Sequence, residues 1–326
     1  MKIEHDYKRL VTLSYLSSFD FQIATKSIFE LYKRLKYWVL SGNCGAMIYG
    51  RSRVGKTSSI LYCMKKFKKE FGEDFPVLIW TLTEHAASTK DKYFYASLLD
   101  AMGMATDKYS RTTALELKTR IINYMAIKAS ETKLKSVVLF IDEAYKLDYK
   151  EYYWLMDIYN VLHVKYNVKL TVFLFGTPKE MKAIKKEFIC NDQTQILERF
   201  MLNDYEFYGI SDLKEMSFCL AELDRSFIRD SLGNPDSITL AEYFFPRAYN
   251  EKNALFYNLA EDFWDAFMEI KAKHGICSKD IPMHFFIQAF IFCLSTYGVE
   301  AENHYFLSKT DIINAIEETG YGKTNN

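Results

Sequence analysis

Gly50-Arg51-Ser52-Arg53-Val54-Gly55-Lys56-Thr57 lies between an apolar run, Ala46 to Tyr49, and a helical pattern that opens at Ser58. Few folds accept this G-x-x-x-x-G-K-T order in that setting. The glycines let backbone N–H groups wrap a phosphate at a helix amino terminus, the lysine reaches the outer phosphates, and the threonine hydroxyl can ligate Mg²⁺. A chance glycine-rich turn would not explain lysine and threonine at both chemically required positions. Gly50, Arg51, Ser52, Arg53, Val54, Gly55, Lys56, Thr57 and Ser58 are therefore the expected binding residues for a nucleotide, with ATP and Mg²⁺ the expected ligands.

The surrounding pattern agrees. Four strand-like runs, Ala46 to Tyr49, Val77 to Leu82, Val137 to Ile141 and Leu170 to Phe175, alternate with helical patterns around Ser58 to Phe71, Tyr93 to Met102, Thr113 to Ala129 and Tyr152 to Tyr166. Such alternation predicts an α/β unit with a parallel sheet flanked by helices. Ahead of it, Phe19, Ile23, Ile28, Leu31, Leu35 and Trp38 recur at helical spacing, predicting an N-terminal helical lead-in. From Ser211 the strand signals stop, and helical patterns over Ser211 to Phe227, Ala254 to Lys273, Met283 to Tyr297 and Lys309 to Thr319 predict a mostly helical C-terminal domain. The expected division is 1–42, 43–210 and 211–326.

Val137 to Ile141 ends in Asp142-Glu143, a Walker B pattern: Asp142 is placed to hold Mg²⁺ and Glu143 to activate the attacking water. The same acidic pair could instead cap the following helix. The fourth run leads into Gly176-Thr177-Pro178, which puts Thr177 at the end of a strand, where open α/β sheets bind ligands. Thr177 is a candidate sensor of the terminal phosphate, although a hydroxyl before proline also starts helices. In Leu197-Glu198-Arg199-Phe200, Arg199 is a candidate arginine finger acting on a neighbouring subunit; the alternative is a salt bridge to Glu198 or Asp204.

Composition excludes several classes. Lys+Arg and Asp+Glu are both 42 among 326 residues, so a strongly basic DNA binder is ruled out and any nucleic-acid contact must come from a local patch or from many aligned subunits. Six cysteines with no C-x-x-C pair indicate neither a zinc site nor a disulfide framework. The first nine residues mix charges where a signal peptide would need a basic start and an apolar run, so a cytoplasmic protein is expected. Ile281 to Val299 lacks charge but contains Pro282, His284 and Gln288, and reads as a buried helix and not a membrane anchor.

From about residue 20 to 210 the order of these parts resembles the AAA+ ATPases, and within them the transposition regulators of the TnsC/TniB type. The Gly176-Thr177 after strand four and the Arg199-Phe200 some twenty residues on carry the narrower resemblance. It implies a P-loop NTPase (AAA+) fold whose C-terminal helical domain is a lid, and ATP hydrolysis by a homo-oligomer that forms a ring or helical filament on double-stranded DNA. It further implies partnership with transposase subunits and a TniQ-like targeting factor. The roles given above for Lys56, Thr57, Asp142, Glu143, Thr177 and Arg199 are those of the family. Two departures stand out: Arg51 and Arg53 make the loop unusually basic, and no sensor-2 arginine motif is evident. For any single basic cluster a solvated face is the first reading, but in the resembling family the segment between strand two and Walker B lines the DNA path, which nominates Lys90, Lys92, Arg111, Lys118 and Arg120. Replication-initiator or repair-type loaders, and signalling or defence NTPases that bind no DNA, share the same ATP chemistry.

Overall fold

The computed structural model describes residues 2–83, 91–104, 112–230, 232–298 and 305–323, with side chains from residue 6 onward. Two helices open the chain, α1 (Lys2–Ser17) and α2 (Lys26–Ser41). Strand β1 (Gly45–Tyr49) is followed by α3 (Lys56–Phe71), β2 (Val77–Thr81), α4 (Asp91–Ala101), α5 (Ala114–Ser130), β3 (Ser136–Asp142), α6 (Tyr149–Tyr166), β4 (Lys169–Gly176), α7 (Pro178–Cys190), the short α8 (Thr194–Ile196) and β5 (Asn203–Glu206). After these come α9 (Leu213–Asp224), β6 (Phe227–Arg229), β7 (Pro235–Thr239), α10 (Leu240–Phe244), α11 (Pro246–Lys252), α12 (Ala260–His274), α13 (Met283–Tyr297) and α14 (Lys309–Glu318).

The chain forms two units. The core unit holds Ile28–Ser52 and Lys56–Phe207; the helical unit holds Met1–Ser27, Arg53–Gly55 and Tyr208–Asn326. In the core unit five parallel strands run in the order β2-β3-β4-β1-β5. Parallel neighbours need long crossovers, and the helices between the strands supply them. β1 and β3 are buried along their whole length and β4 from its second residue, which is why these segments read as unbroken apolar runs. Alternate residues serve opposite faces. Phe140, Phe173 and Phe175 meet the rings of Phe67 from α3 and Trp38 from α2 in an aromatic layer. Val137, Leu139, Ile141, Leu170, Val172 and Leu174 join the opposite core with Leu98, Ile121 and Leu155 from α4, α5 and α6.

β5 forms the edge of the sheet beside β1. Its position brings the backbone before it against β1: a Cβ added at Gly45 would lie 2.6 Å from the Val172 carbonyl and 3.1 Å from the Phe200 Cα. Only glycine fits there.

In the helical unit α13 buries Phe285, Phe286, Ala289, Phe290, Cys293 and Leu294, as expected for Ile281 to Val299. No helix among the described residues is long and apolar enough to cross a membrane. The expectation that strands cease after Ser211 is corrected by an antiparallel ribbon, β6 with β7. Its strands have 3 and 5 residues and are largely exposed on one side, so they carry too little apolar periodicity to be read. α1 packs in this unit: the Thr12 hydroxyl accepts from the Arg229 N–H at 2.8 Å, and the Arg229 guanidinium lies 3.7 Å from the Tyr15 ring centroid. All six cysteines are unpaired.

Phe67 is fully buried among Tyr32, Phe71, Phe75 and Phe140. Phe67→Ala should therefore cost about 3–5 kcal/mol of core-unit stability, through lost transfer energy plus the cavity left behind. Urea unfolding followed by far-UV circular dichroism measures it; a loss under 1 kcal/mol would show that the aromatic layer is not a packed core.

Candidate active site

Three adjacent strands, β3, β4 and β1, deliver their carboxyl ends to one place. The register sets Tyr49 beside Gly176 and Ile141 beside Leu174, and the Gly50 N–H donates to the Gly176 carbonyl at 3.2 Å. The loop after β1, the acidic pair after β3 and Thr177 after β4 are thereby neighbours by construction.

Lys56 is the first residue of α3 and only 7% exposed. Its ammonium donates to the carbonyls of Gly50 at 2.9 Å and Arg51 at 3.0 Å, which closes the loop around it. Burial pushes its pKa down, and the carboxylates of Glu143, Asp142 and Glu180 act in the other direction. The next residue, Thr57, donates its hydroxyl to Asp142 Oδ2 at 2.7 Å. Asp142 is 2% exposed, and its Oδ1 accepts the Glu143 N–H at 3.1 Å. Burial raises the Asp142 pKa, partly offset by the Thr57 hydrogen bond.

Glu143 adopts φ 58°, ψ 39°, a left-handed conformation that costs a non-glycine residue energy. Its side chain is half-buried and caps nothing, so the capping alternative for the acidic pair is not what the residue does. Thr177 precedes Pro178 and starts α7, but its side chain makes no N-cap bond; the hydroxyl donates to Glu180, whose pKa that contact lowers. Glu180 escaped the reading of the sequence, although Thr177-Pro178-Lys179-Glu180 matches the S/T-x-x-E spacing that announces such a pairing.

Arg199 lies in a π-helical turn, Leu197–Met201, before β5. It makes no ion pair among the described residues, and Asp204 is taken by Lys185 at 3.5 Å, so the salt-bridge alternative is not realised. Its Nη1 donates to Asn160 Oδ1 at 2.8 Å and its guanidinium lies 5.3 Å from the Tyr159 ring centroid. Nothing local signals these α6 partners, which stand 39 and 40 residues earlier in the chain.

Arg53, at φ 64°, and Gly55, at φ 105°, group with the helical unit; the Arg53 carbonyl accepts from the His284 N–H at 3.3 Å and its guanidinium lies 5.2 Å from the Phe285 ring centroid. Ser52 is exposed, Arg51 and Ser58 are half-buried, and Val54 is buried. Of the nominated DNA residues, Lys90 and Arg111 fall outside the described residues. Lys92 is in the first turn of α4, Arg120 is exposed on α5, and Lys118 is paired with Asp157 at 3.0 Å.

The donor set fits Mg²⁺: a hydroxyl and a buried carboxylate, both oxygen, side by side. Mg²⁺ is commonly held by one or two protein groups and completed by water and substrate phosphates, so the lack of a three-residue ligand cluster among the described residues is no obstacle. A strand-end phosphate loop, a buried lysine and a carboxylate pair on a parallel sheet with flanking helices make up the P-loop NTPase fold in its AAA+ form. Residues 42–184 match the family described as "AAA domain". Among solved structures, the Aeropyrum pernix ORC2 protein, described as ADPNP-ADP complexes, superimposes with TM-score 0.59 at 13% identity, covering 93% of this chain and 71% of that one. Aeropyrum pernix ORC1 in complex with DNA gives TM-score 0.48 at 11% identity, covering 95% and 69%. Domain III of the Thermotoga maritima replication initiation protein DnaA gives 0.46 at 15%, covering 93% and 96%. No curated protein matches the sequence.

Because the folded-state pKa of Asp142 is raised, its charged form is disfavoured by folding. That penalty is present above the folded pKa and vanishes below the ordinary carboxylate pKa, where both states are protonated. Asp142→Asn, which keeps an acceptor for Thr57, should therefore melt at a higher temperature than the wild type at pH 7 without nucleotide. The gain should shrink as pH falls towards 4, near the ordinary Asp value. Differential scanning calorimetry decides; a lower Tm at pH 7 would mean that the carboxylate is net stabilising.

Proposed function

We propose that this protein is a Mg²⁺-dependent ATPase that oligomerises on double-stranded DNA and regulates transposition, linking a targeting factor of the TniQ kind to transposase subunits in the cytoplasm. The observation that carries the ATPase reading is the direct contact of Thr57 with buried Asp142 beside Glu143 and Lys56. In this reading the loop N–H groups and Lys56 bind the β- and γ-phosphates, and Thr57 and Asp142 hold Mg²⁺, which supplies charge neutralisation on the phosphates. Glu143 takes a proton from water as its oxygen bonds to the γ-phosphorus and the bond to the ADP oxygen breaks, giving ADP and phosphate. Thr177 reports the γ-phosphate, and its hydroxyl must leave Glu180 to do so.

Arg199 fits a finger acting in trans because neutral groups hold it. An amide oxygen and an aromatic face fix the guanidinium without neutralising it, so its charge stays available to a phosphate on a neighbouring subunit. The transposition assignment is supported by the order of motifs over residues 20 to 210. A replication-initiator role is the second reading, favoured by the ORC2-like fold extending over both units.

Glu143→Gln should retain ATP binding and lower turnover at least about 100-fold, because the amide cannot take the proton. Fluorescent-ATP binding and phosphate release measured together check it; normal turnover would move the base elsewhere.

Mixing Arg199→Ala with Lys56→Ala subunits should restore activity above either alone, since mixed interfaces include complete sites. Absence of recovery in demonstrated mixed oligomers would end the trans assignment. Co-purification with transposase and targeting proteins, against co-purification with a helicase or its loader, separates the two functional readings.

A further inference from the structure

α2 and α3 cover one face of the sheet, and outside the buried Lys56 they carry eight basic residues against two acidic ones. In a chain of zero net charge this is a strong local excess. The two helices lie side by side: the Tyr32 hydroxyl donates to the Lys66 carbonyl at 3.4 Å, Tyr32 meets Phe67 edge to face, and Lys36 pairs with Glu70. On its other side, α2 faces the edge strand β5 across a cleft of about 310 Å³ lined by Glu30, Lys33, Arg34, Tyr37 and Tyr205. Positions 30, 33, 34 and 37 share one helical face.

The chemistry of that cleft is specific. Glu30 is answered by Lys33 at 3.0 Å, and the Lys33 ammonium also sits 4.4 Å from the Phe29 ring centroid. Arg34 is exposed and has no hydrogen bond or ion pair among the described residues. Tyr37 is 61% exposed. An uncommitted guanidinium beside an exposed aromatic ring, on a helix that also carries lysines and packs against the lysine-rich α3, offers what a single-stranded nucleic acid needs: phosphate neutralisation along the strand and a ring on which a base can stack. A volume of 310 Å³ is at the lower end for ligand sites.

We propose that the α2–β5 cleft and the adjoining α2/α3 face form a binding surface for single-stranded nucleic acid, with one base stacked at Tyr37 and the backbone drawn along Arg34 and the lysines of α3. The surface is distinct from the α4–α5 segment nominated for duplex DNA. It requires nothing of the nucleotide site, so the ATPase reading can fail while it stands, and the reverse holds too.

The test is fluorescence anisotropy of a labelled oligothymidylate, about one to two dozen nucleotides long, titrated over a range of salt concentrations; an OB-fold-sized site of ~4–16 nucleotides sets that length. Tyr37→Ala should weaken binding about tenfold, the usual loss for one stacked base, and Tyr37→Trp should restore it. The double reversal Arg34→Glu with Lys69→Glu should reduce the salt slope by at least about 1.4, because two phosphate contacts are removed at ~0.7 each. ATP turnover should be unchanged in both, and circular dichroism should show the native fold. No binding of the oligonucleotide by the wild type overturns the proposal. So does full binding by both variants, or equal loss of duplex and single-strand binding with no effect of Tyr37→Ala, which would reduce the surface to generic phosphate attraction. Saturation of the cleft by a free mononucleotide as tightly as by the oligonucleotide would also overturn it, by showing that the occupant is not a strand.

Discussion

A buried carboxylate and a buried ammonium set the terms for the rest of this molecule. Asp142 and Lys56 sit at strand and helix ends with almost no access to water, and each is pushed by burial towards its neutral form. Neither would be tolerable alone in an apolar core. Thr57, the Glu143 N–H and the carbonyls of Gly50 and Arg51 supply the hydrogen bonds that make them so. The parallel pairing opens all these strand ends on one side, and β4 between β3 and β1 sets the acidic pair, Thr177 and the phosphate loop next to one another there. The site costs folding energy, and the fully buried aromatic layer beneath α2 and α3 and the aliphatic layer opposite offset that cost.

Much of this could be read without coordinates, and the reason is physical. β1, β3 and β4 are buried on both faces, so their residues form continuous apolar runs, and the phosphate loop needs its glycine, lysine and threonine side by side in sequence. α13 was legible for the same reason, being apolar nearly throughout. β6 and β7 were not, because a short exposed ribbon has no periodicity to show. The partners of Arg199 and Thr177 differ in an instructive way. Glu180 is three residues from Thr177 and was within reach of a local rule, whereas Tyr159 and Asn160 approach Arg199 only because α6 crosses the sheet. Local sequence records backbone demands well and tertiary side-chain pairings poorly.

Charge is distributed to match. The chain as a whole is neutral, yet the exposed outer surfaces of α2 and α3 are strongly basic, while the acidic residues of β5, Asp204 and Glu206, flank Tyr49 on the α7 side of the sheet. Net charge thus conceals a directional field. The neutral cradle of Arg199 follows the same logic at the scale of one residue: orientation comes from groups that leave its charge intact.

The passage of the chain between units bears on how the protein can be divided. α1 and the segment after it contribute Leu16 and Ile23 to the same core as Met216, Ile228 and Phe286, two hundred and more residues away, while α2, only eight residues after α1, buries Leu31, Leu35 and Trp38 elsewhere. The helical unit is therefore discontinuous in sequence, and a fragment starting at residue 208 would lack one wall of its hydrophobic core. Supplying the first 27 residues as a separate peptide should complete it by fragment complementation. A fusion that joins residue 27 to residue 208 through a short linker would turn the unit into a contiguous gene product, opening it to isolated study.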